Sequence, residues 1–79
     1  MDYLTPDLSE LMKLLNEKMK KESADGINGV IMDNESIDMN SVERLQLRQL
    51  ITGFFFNFEG QRVFSYAFTP KGKRWLKTH

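Results

Sequence analysis

The sequence contains no cysteine and a single histidine, and both facts restrict its chemistry. Without cysteine the chain has no disulfide, no thiolate metal site and no thiol nucleophile. The histidine, His79, is the last residue, so a histidine-based catalytic triad is not expected. There is no phosphate-binding loop, HExxH motif or metal-ligand spacing, and "DNESID" lacks the ligand order of a calcium loop. We therefore expect a protein that is not an enzyme and binds no cofactor or metal.

Long apolar segments are also missing. No run approaches the roughly 20 residues that a membrane-spanning helix needs. The acidic start "MDYLTPDLSE" has no apolar signal region, so we expect a cytoplasmic protein. The 79 residues have room for one small domain, 1–79, near the size at which a single core is only just sufficient.

Positive charge is scarce in the first half of the chain, although the formal net charge is zero. Residues 1–40 hold nine acids and four lysines, a net charge of −5, whereas residues 58–79 hold one acid and five bases, a net charge of +4. Such a molecule can present a basic face to nucleic acid or to an acidic protein. It lacks the large positive excess of strong nonspecific nucleic-acid binders.

Two "TP" pairs predict helix starts, because threonine is a good N-cap and proline suits the first helical position. After Thr5, apolar residues recur at spacings of three and four, which predicts a helix over 6–22 that ends at "SADG". After Thr69 we expect a short C-terminal helix, whose Trp75 and Leu76 close one end of the core. Gly72 weakens this helix unless it is docked.

The middle of the chain gives weaker signals. Residues 30–32 form a β-prone run, which predicts a short strand, with a degenerate helical turn as the alternative. A second helix is predicted over 41–51, with Asn40 as its N-cap. Its apolar residues, Leu47 among them, spread around most of the circumference, so it is expected to be largely buried apart from a narrow face of Arg44 and Arg48.

The stretch "GFFFNFEG" predicts a β-hairpin. Residues 57–60 fit a type I turn followed by a glycine bulge, which pairs Phe56 with Arg62 and leaves Phe58 in the turn, pointing to water. This register places five aromatic residues on one face, which we expect to be the core face: Phe54, Phe56, Phe64, Tyr66 and Phe68.

Residues 42–76, "VERLQLRQLITGFFFNFEGQRVFSYAFTPKGKRWL", resemble the second half of winged-helix regulatory proteins. The shared pattern is a helix ending in "LITGFF", a hairpin wing, and a close similar to "LTxKGxxxL". The resemblance implies an α+β, winged-helix-like domain in the order helix, short strand, helix, hairpin and short C-terminal helix. The segment "INGVIMDNESIDMN" shows no clear periodicity where that family has the first helix of its helix-turn-helix.

The resemblance also implies a small regulator whose second helix and wing contact duplex DNA. Six basic residues are the candidate contacts: Arg44, Arg48, Arg62, Lys71, Lys73 and Arg74. The alternative is a protein-interaction module of the same fold that does not bind DNA, such as an accessory, anti-host or antitoxin-like factor. Phe58 is then the candidate anchor for another protein or for a second copy of the chain. Zero net charge and the missing first helix of the helix-turn-helix favour the alternative, and the wing signature and the basic C-terminal half favour DNA.

Overall fold

The computed structural model describes residues 4–22, 28–32 and 35–79. Within them the chain is an α+β protein with three helices and a three-stranded antiparallel sheet, as predicted. The elements in chain order are α1 (Pro6–Glu22), β1 (Gly29–Met32), α2 (Met39–Leu47), β2 (Ile51–Phe58), β3 (Gln61–Phe68) and α3 (Pro70–Thr78). The expected helix end at "SADG" lies outside the described residues. No helix in the described ranges is long and apolar enough to cross a bilayer.

Both "TP" helix starts are confirmed. The backbone N–H of Leu8 donates to Thr5 Oγ1 at 3.3 Å, and that of Gly72 donates to Thr69 Oγ1 at 3.0 Å. Each threonine thus satisfies one of the amide groups that a helix start leaves without an intrahelical acceptor. The predicted strand at residues 30–32 is likewise confirmed as part of β1.

Helix α2 begins earlier than predicted. Its N-cap is Asp38, whose carboxylate accepts hydrogen bonds from the backbone N–H of Asn40 and from Ser41 Oγ, each at 3.0 Å. Two acceptor oxygens allow Asp38 to satisfy both groups at once. The prediction of Asn40 as the N-cap is therefore wrong.

Helix α2 also ends earlier than predicted, in a Schellman-type cap. The N–H of Gln49 donates to Gln46 O at 2.9 Å, and the N–H of Leu50 donates to Leu45 O at 3.1 Å. Gln49 takes the left-handed conformation that this cap requires, with φ of 61°. Leu50 is consequently buried beyond the helix, whereas Leu47 is 77% exposed, which corrects the prediction that this part of the helix is buried.

The sheet has the order β1-β3-β2, with β3 in the centre. Side chains on one of its faces join α1, α2 and Trp75 of α3 in a single apolar core. The sheet contributes Ile31, Ile51, Phe64, Tyr66 and Phe68 to this core. We call this the helix face of the sheet, and the opposite side the outer face.

The hairpin loop is one residue shorter than predicted. Glu59 and Gly60 both have positive φ, 52° and 79°, and form a two-residue loop of the type I′ kind, whose twist matches that of the flanking strands. The predicted type I turn with a bulge is wrong. Phe58 therefore belongs to β2, opposite Gln61, and Phe55 instead of Phe54 lies opposite Phe64.

This shift of one residue reverses the two faces of β2, because side chains alternate along a strand. The β3 assignments hold, and Phe64 is only 2% exposed. The prediction that Phe54 and Phe56 belong to the core is wrong, since both lie on the outer face, opposite Ser65 and Val63.

Two polar contacts tie α1 to the sheet region. The Tyr66 hydroxyl donates to Leu15 O at 2.7 Å, and burial raises the pKa of Tyr66 well above its ordinary value. Lys18 forms an ion pair with Glu35, whose other oxygen accepts from the backbone N–H of Met32 at 2.6 Å. The contact thus fixes the end of β1 against α1.

Opposing effects set the pKa values of this ion pair. Burial lowers the pKa of Lys18, but hydrogen bonds with Glu35 and Glu22 outweigh it and leave that pKa raised. Burial raises the pKa of Glu35, but its hydrogen bonds from Lys18 and from the Met32 backbone leave that pKa lowered.

Candidate nucleic-acid interface

Helix α3 is docked closely against the turn that follows α2. Lys71 Nζ donates to Arg48 O at 2.9 Å, and Thr69 Oγ1 donates to Leu50 O at 3.1 Å. A side chain at Gly72 would place its Cβ 2.0 Å from Leu50 O, so only glycine allows this approach. The contacts hold two segments that lie some twenty residues apart in sequence at a fixed distance.

A shallow depression forms where these segments meet, and we call it the α2–α3 depression. Its lining residues are Gln46, Gln49, Ile51, Thr52, Thr69, Pro70, Lys71 and Arg74. Two of the predicted contact residues, Lys71 and Arg74, are therefore together, and Arg48 adjoins them through its carbonyl. Cationic, amide and hydroxyl side chains of this kind are those that commonly bind phosphate oxygens.

The remaining predicted contacts on the helices lie outside the depression. Arg44 is exposed on α2, one turn before Arg48 and on the same side of the helix. Lys73 is exposed on α3, but at 100° per residue it projects from the opposite flank to Lys71. Only part of the predicted set thus converges.

Arg62 is separate from this cluster. It pairs with Asn57 near the hairpin tip, and its guanidinium carbon lies 4.0 Å from the centroid of the Phe55 ring. The other end of the same ladder, where Ile51 pairs with Phe68, is about 20 Å away by strand geometry. Arg62, the predicted contact in the wing, therefore lies at the hairpin tip, away from the α2–α3 depression.

Sequence reasoning missed the neutral members of the depression. Gln46, Gln49 and Thr52 carry no charge and belong to no motif, so nothing in the sequence distinguishes them. Their placement follows from the early end of α2 and from the hairpin register, which were both predicted wrongly. No group of three potential metal ligands occurs among the residues that the structure describes.

A second surface consists of the phenylalanines of β2, and we call it the aromatic strand surface. Phe54, Phe55, Phe56 and Phe58 are 64%, 47%, 37% and 55% exposed. Phe58 is exposed as predicted, although it ends a strand instead of lying in the turn. Val63 is buried on the outer face, and its cross-strand neighbours are Phe56 and Met32.

No family model, curated protein or solved structure matches this chain. The described residues present two candidate surfaces, one cationic and one aromatic.

Proposed function

We propose that this protein is a small DNA-associated regulator of the winged-helix type that contacts the duplex with the α2–α3 depression. The observation that supports the proposal is the meeting of Lys71 and Arg74 with the end of α2, two regions that the sequence resemblance assigns to DNA contact. The sheet order and the helix that follows the hairpin are compatible with the same fold family.

The contacts that this surface favours are to the sugar-phosphate backbone. Lys71 and Arg74 supply positive charge, while Gln49 and Thr52 supply uncharged donors beside them. Arg62, about 20 Å along the hairpin, would reach a separate stretch of backbone. Binding of this kind is tolerant of sequence and falls steeply with salt, because it releases counterions.

Base reading by α2 is the weaker part of the family's mechanism in this chain. A helix-turn-helix needs a helix before the recognition helix, and the described residues 35–38 that lead into α2 form none. Arg44 and Arg48 are accordingly assigned to phosphate, and we expect little preference between duplex sequences.

A titration of labelled mixed-sequence duplex at two salt concentrations tests the proposal. The double variant Lys71→Gln/Arg74→Gln should bind more weakly on every sequence, and its salt dependence should fall by about one unit of slope per cation removed. Lys13→Gln, an exposed position on α1, is the control and should bind like the wild type. Absence of duplex binding by the wild type even at low salt would rule the proposal out.

The aromatic strand surface favours a second candidate function, a protein-interaction module. Four exposed phenylalanines on one strand form a contiguous apolar patch, and the chain has no net charge to oppose association through it. As an anchor, Phe58→Ala should weaken association by more than about 1 kcal/mol and change the free energy of unfolding by less than about 0.5 kcal/mol. Sedimentation and chemical unfolding of the same samples measure the two quantities. Lost stability with unchanged association would contradict an anchoring role.

A further inference from the structure

Strand β2 is an edge strand without the usual protection. β2 pairs with β3 along one edge, and no strand in the described part of the chain pairs with its other edge, since the sheet order is β1-β3-β2. Its eight residues, "ITGFFFNF", include neither a charged residue nor a proline. Natural proteins commonly protect such edges with lysine, proline or a bulge, because an open edge pairs readily with another strand.

The four exposed phenylalanines lie on both faces of β2, which distinguishes a partner stacked on one face from a strand paired along the edge. Phe54, Phe56 and Phe58 lie on the outer face, whereas Phe55 lies on the helix face beyond the core. A partner stacked on the outer face would cover the first three rings and leave Phe55 exposed. A strand laid alongside β2 has side chains on both faces, so it contacts exposed rings on both.

The hairpin register also fixes which backbone groups are available. The two-residue loop makes Phe58 and Gln61 a hydrogen-bonded pair, and such pairs recur at every second position. Phe56 and Phe54 therefore bond to β3, while the N–H and C=O groups of Gly53, Phe55 and Asn57 point to the open edge. An added antiparallel strand must bond to these odd-numbered residues.

We propose that the strand added to β2 is β2 of a second copy, antiparallel about a two-fold axis at Phe55. In this register Phe55 faces Phe55 of the second copy on the helix face, and Phe54 faces its Phe56 on the outer face. Phe58 faces its Thr52. The inference rests on the protein-interaction surface proposed above and does not depend on duplex binding.

Charge complementarity favours a second copy over an unrelated strand. In the same register Glu59, the residue after β2, falls opposite Ile51 of the other copy. Ile51 and Thr52 line the α2–α3 depression together with Lys71 and Arg74. The acid at each hairpin tip thus approaches the basic depression of the other molecule, and the symmetry provides this contact twice.

The area involved suits a weak but specific dimer. The four rings together expose about as much as two whole phenylalanines, roughly 400 Å² per copy. Two copies therefore offer at most roughly 800 Å² of aromatic surface, below the roughly 1,200 Å² at which stable specific interfaces begin, so the dimer is expected to be weak. We expect a Kd in the micromolar range, on the order of 1–100 μM.

Sedimentation velocity over a range of concentrations tests the dimer. Wild type should shift from monomer to dimer, and Phe55→Lys should weaken association at least tenfold, because it places two lysines opposite each other. Leu47→Lys is the matched control, since it introduces the same charge at an exposed leucine on α2, and it should associate like the wild type. A wild type that stays monomeric, or equal losses in both variants, would overturn the proposal.

Engineered cysteines test the register, and the absence of natural cysteine makes each one unambiguous. In the proposed register Phe55 and Phe55 of the second copy form a hydrogen-bonded antiparallel pair, whose Cα atoms lie about 5.5 Å apart. This distance is within the range that a disulfide spans. Phe55→Cys should therefore cross-link under mild oxidation, whereas Leu47→Cys should not. Cross-linking of Phe54→Cys or Phe56→Cys in preference to Phe55→Cys would overturn the register and indicate face-to-face stacking or a shifted strand.

Charge reversal tests the contact between the hairpin tip and the basic depression. Glu59→Lys and Arg74→Glu should each weaken dimerisation severalfold, and the double variant should recover most of the loss, because the paired charges are again opposite. A double variant as weak as the product of the two single losses would contradict the proposed contact.

Discussion

Phenylalanines of the same hairpin differ sharply in how much they contribute to stability. Phe64, in the central strand, is 2% exposed and packs within the core, with the Phe55 ring centroid 4.8 Å from its own. Phe54 is 64% exposed on the outer face, and its ring meets only that of Phe56, at 6.1 Å, among the aromatic contacts of the described residues. The amount of apolar surface that each ring removes from water therefore differs severalfold.

Phe64→Ala should lower the free energy of unfolding by roughly 3–5 kcal/mol, because it leaves a cavity in the core. Phe54→Ala should change it by less than about 0.5 kcal/mol, as is usual for exposed positions. Urea unfolding at a concentration that keeps the protein monomeric measures both. Comparable losses in the two variants would show that Phe54 is buried and that the hairpin register is wrong.

The ion pair between Lys18 and Glu35 makes the free energy of unfolding depend on pH. The pKa of Glu35 is lowered from its ordinary value of 4.5 in the folded state. The folded protein therefore favours the ionised carboxylate, which stabilises the fold. This stabilisation is fully present above pH 4.5 and is lost as the pH falls through the lowered pKa. The raised pKa of Lys18 acts in the opposite direction, so its contribution is present below pH 10.5 and is lost only as the pH rises through the raised value.

Glu35→Gln should lower stability at pH 7 by about 1–3 kcal/mol, since it removes a charge-assisted hydrogen bond and leaves Lys18 without this acid. The difference from wild type should shrink as both proteins are titrated to pH 3. Thermal unfolding at several pH values measures it. Glu17→Gln, on the exposed side of α1, is the control and should lower stability at pH 7 much less than Glu35→Gln. A constant difference across the pH range would contradict the assigned role.

At the scale of the elements, docking explains why α3 tolerates a glycine in its first turn. Glycine lowers helix stability by about 1 kcal/mol relative to alanine. At Gly72, however, a Cβ would lie 2.0 Å from Leu50 O, closer than van der Waals contact allows. The absent side chain is what permits α3 to approach the end of α2 and form the depression.

Gly72→Ala should therefore destabilise the protein, by roughly 1–3 kcal/mol, even though alanine is the better helix former. Lys73→Ala, on an exposed side of the same helix, should be neutral or slightly stabilising. Chemical unfolding compares the two variants. A more stable Gly72→Ala protein would mean that α3 is not docked against Leu50.

The elements that the sequence predicts well are those whose ends carry a local signal. Thr5 with Pro6, and Thr69 with Pro70, mark the starts of α1 and α3 because capping and a fixed proline φ act within one turn. The end of α2 lacks such a signal, since Gln49 instead of glycine occupies the left-handed position. In the hairpin, Glu59 occupies a left-handed position where asparagine or glycine is typical, so the sequence predicts a loop that is one residue too long.

At the scale of the whole molecule, the candidate interface was predictable only in part. Clustering of cations at residues 71–74 is visible in the sequence, but their proximity to Gln46, Gln49 and Thr52 depends on tertiary docking. The aromatic strand surface is not predicted from the sequence for a different reason. A change of one residue in the hairpin loop exchanges the two faces of β2, so the sequence predicts Phe56 in the core although the side chain is exposed.

If β2 pairs with a second copy, unfolding must also separate the two chains, and the melting temperature becomes dependent on concentration. A tenfold increase in concentration then adds about 1.4 kcal/mol per dimer, or about 0.7 kcal/mol per chain. For a domain of this size that corresponds to a rise in Tm of about 3–5 °C per tenfold, once the dimer predominates. Calorimetry at several concentrations measures the rise. Leu47→Lys should keep this dependence, whereas Phe55→Lys should melt at the same temperature throughout. A wild-type Tm that does not change with concentration above the expected Kd would show that β2 remains unpaired in solution.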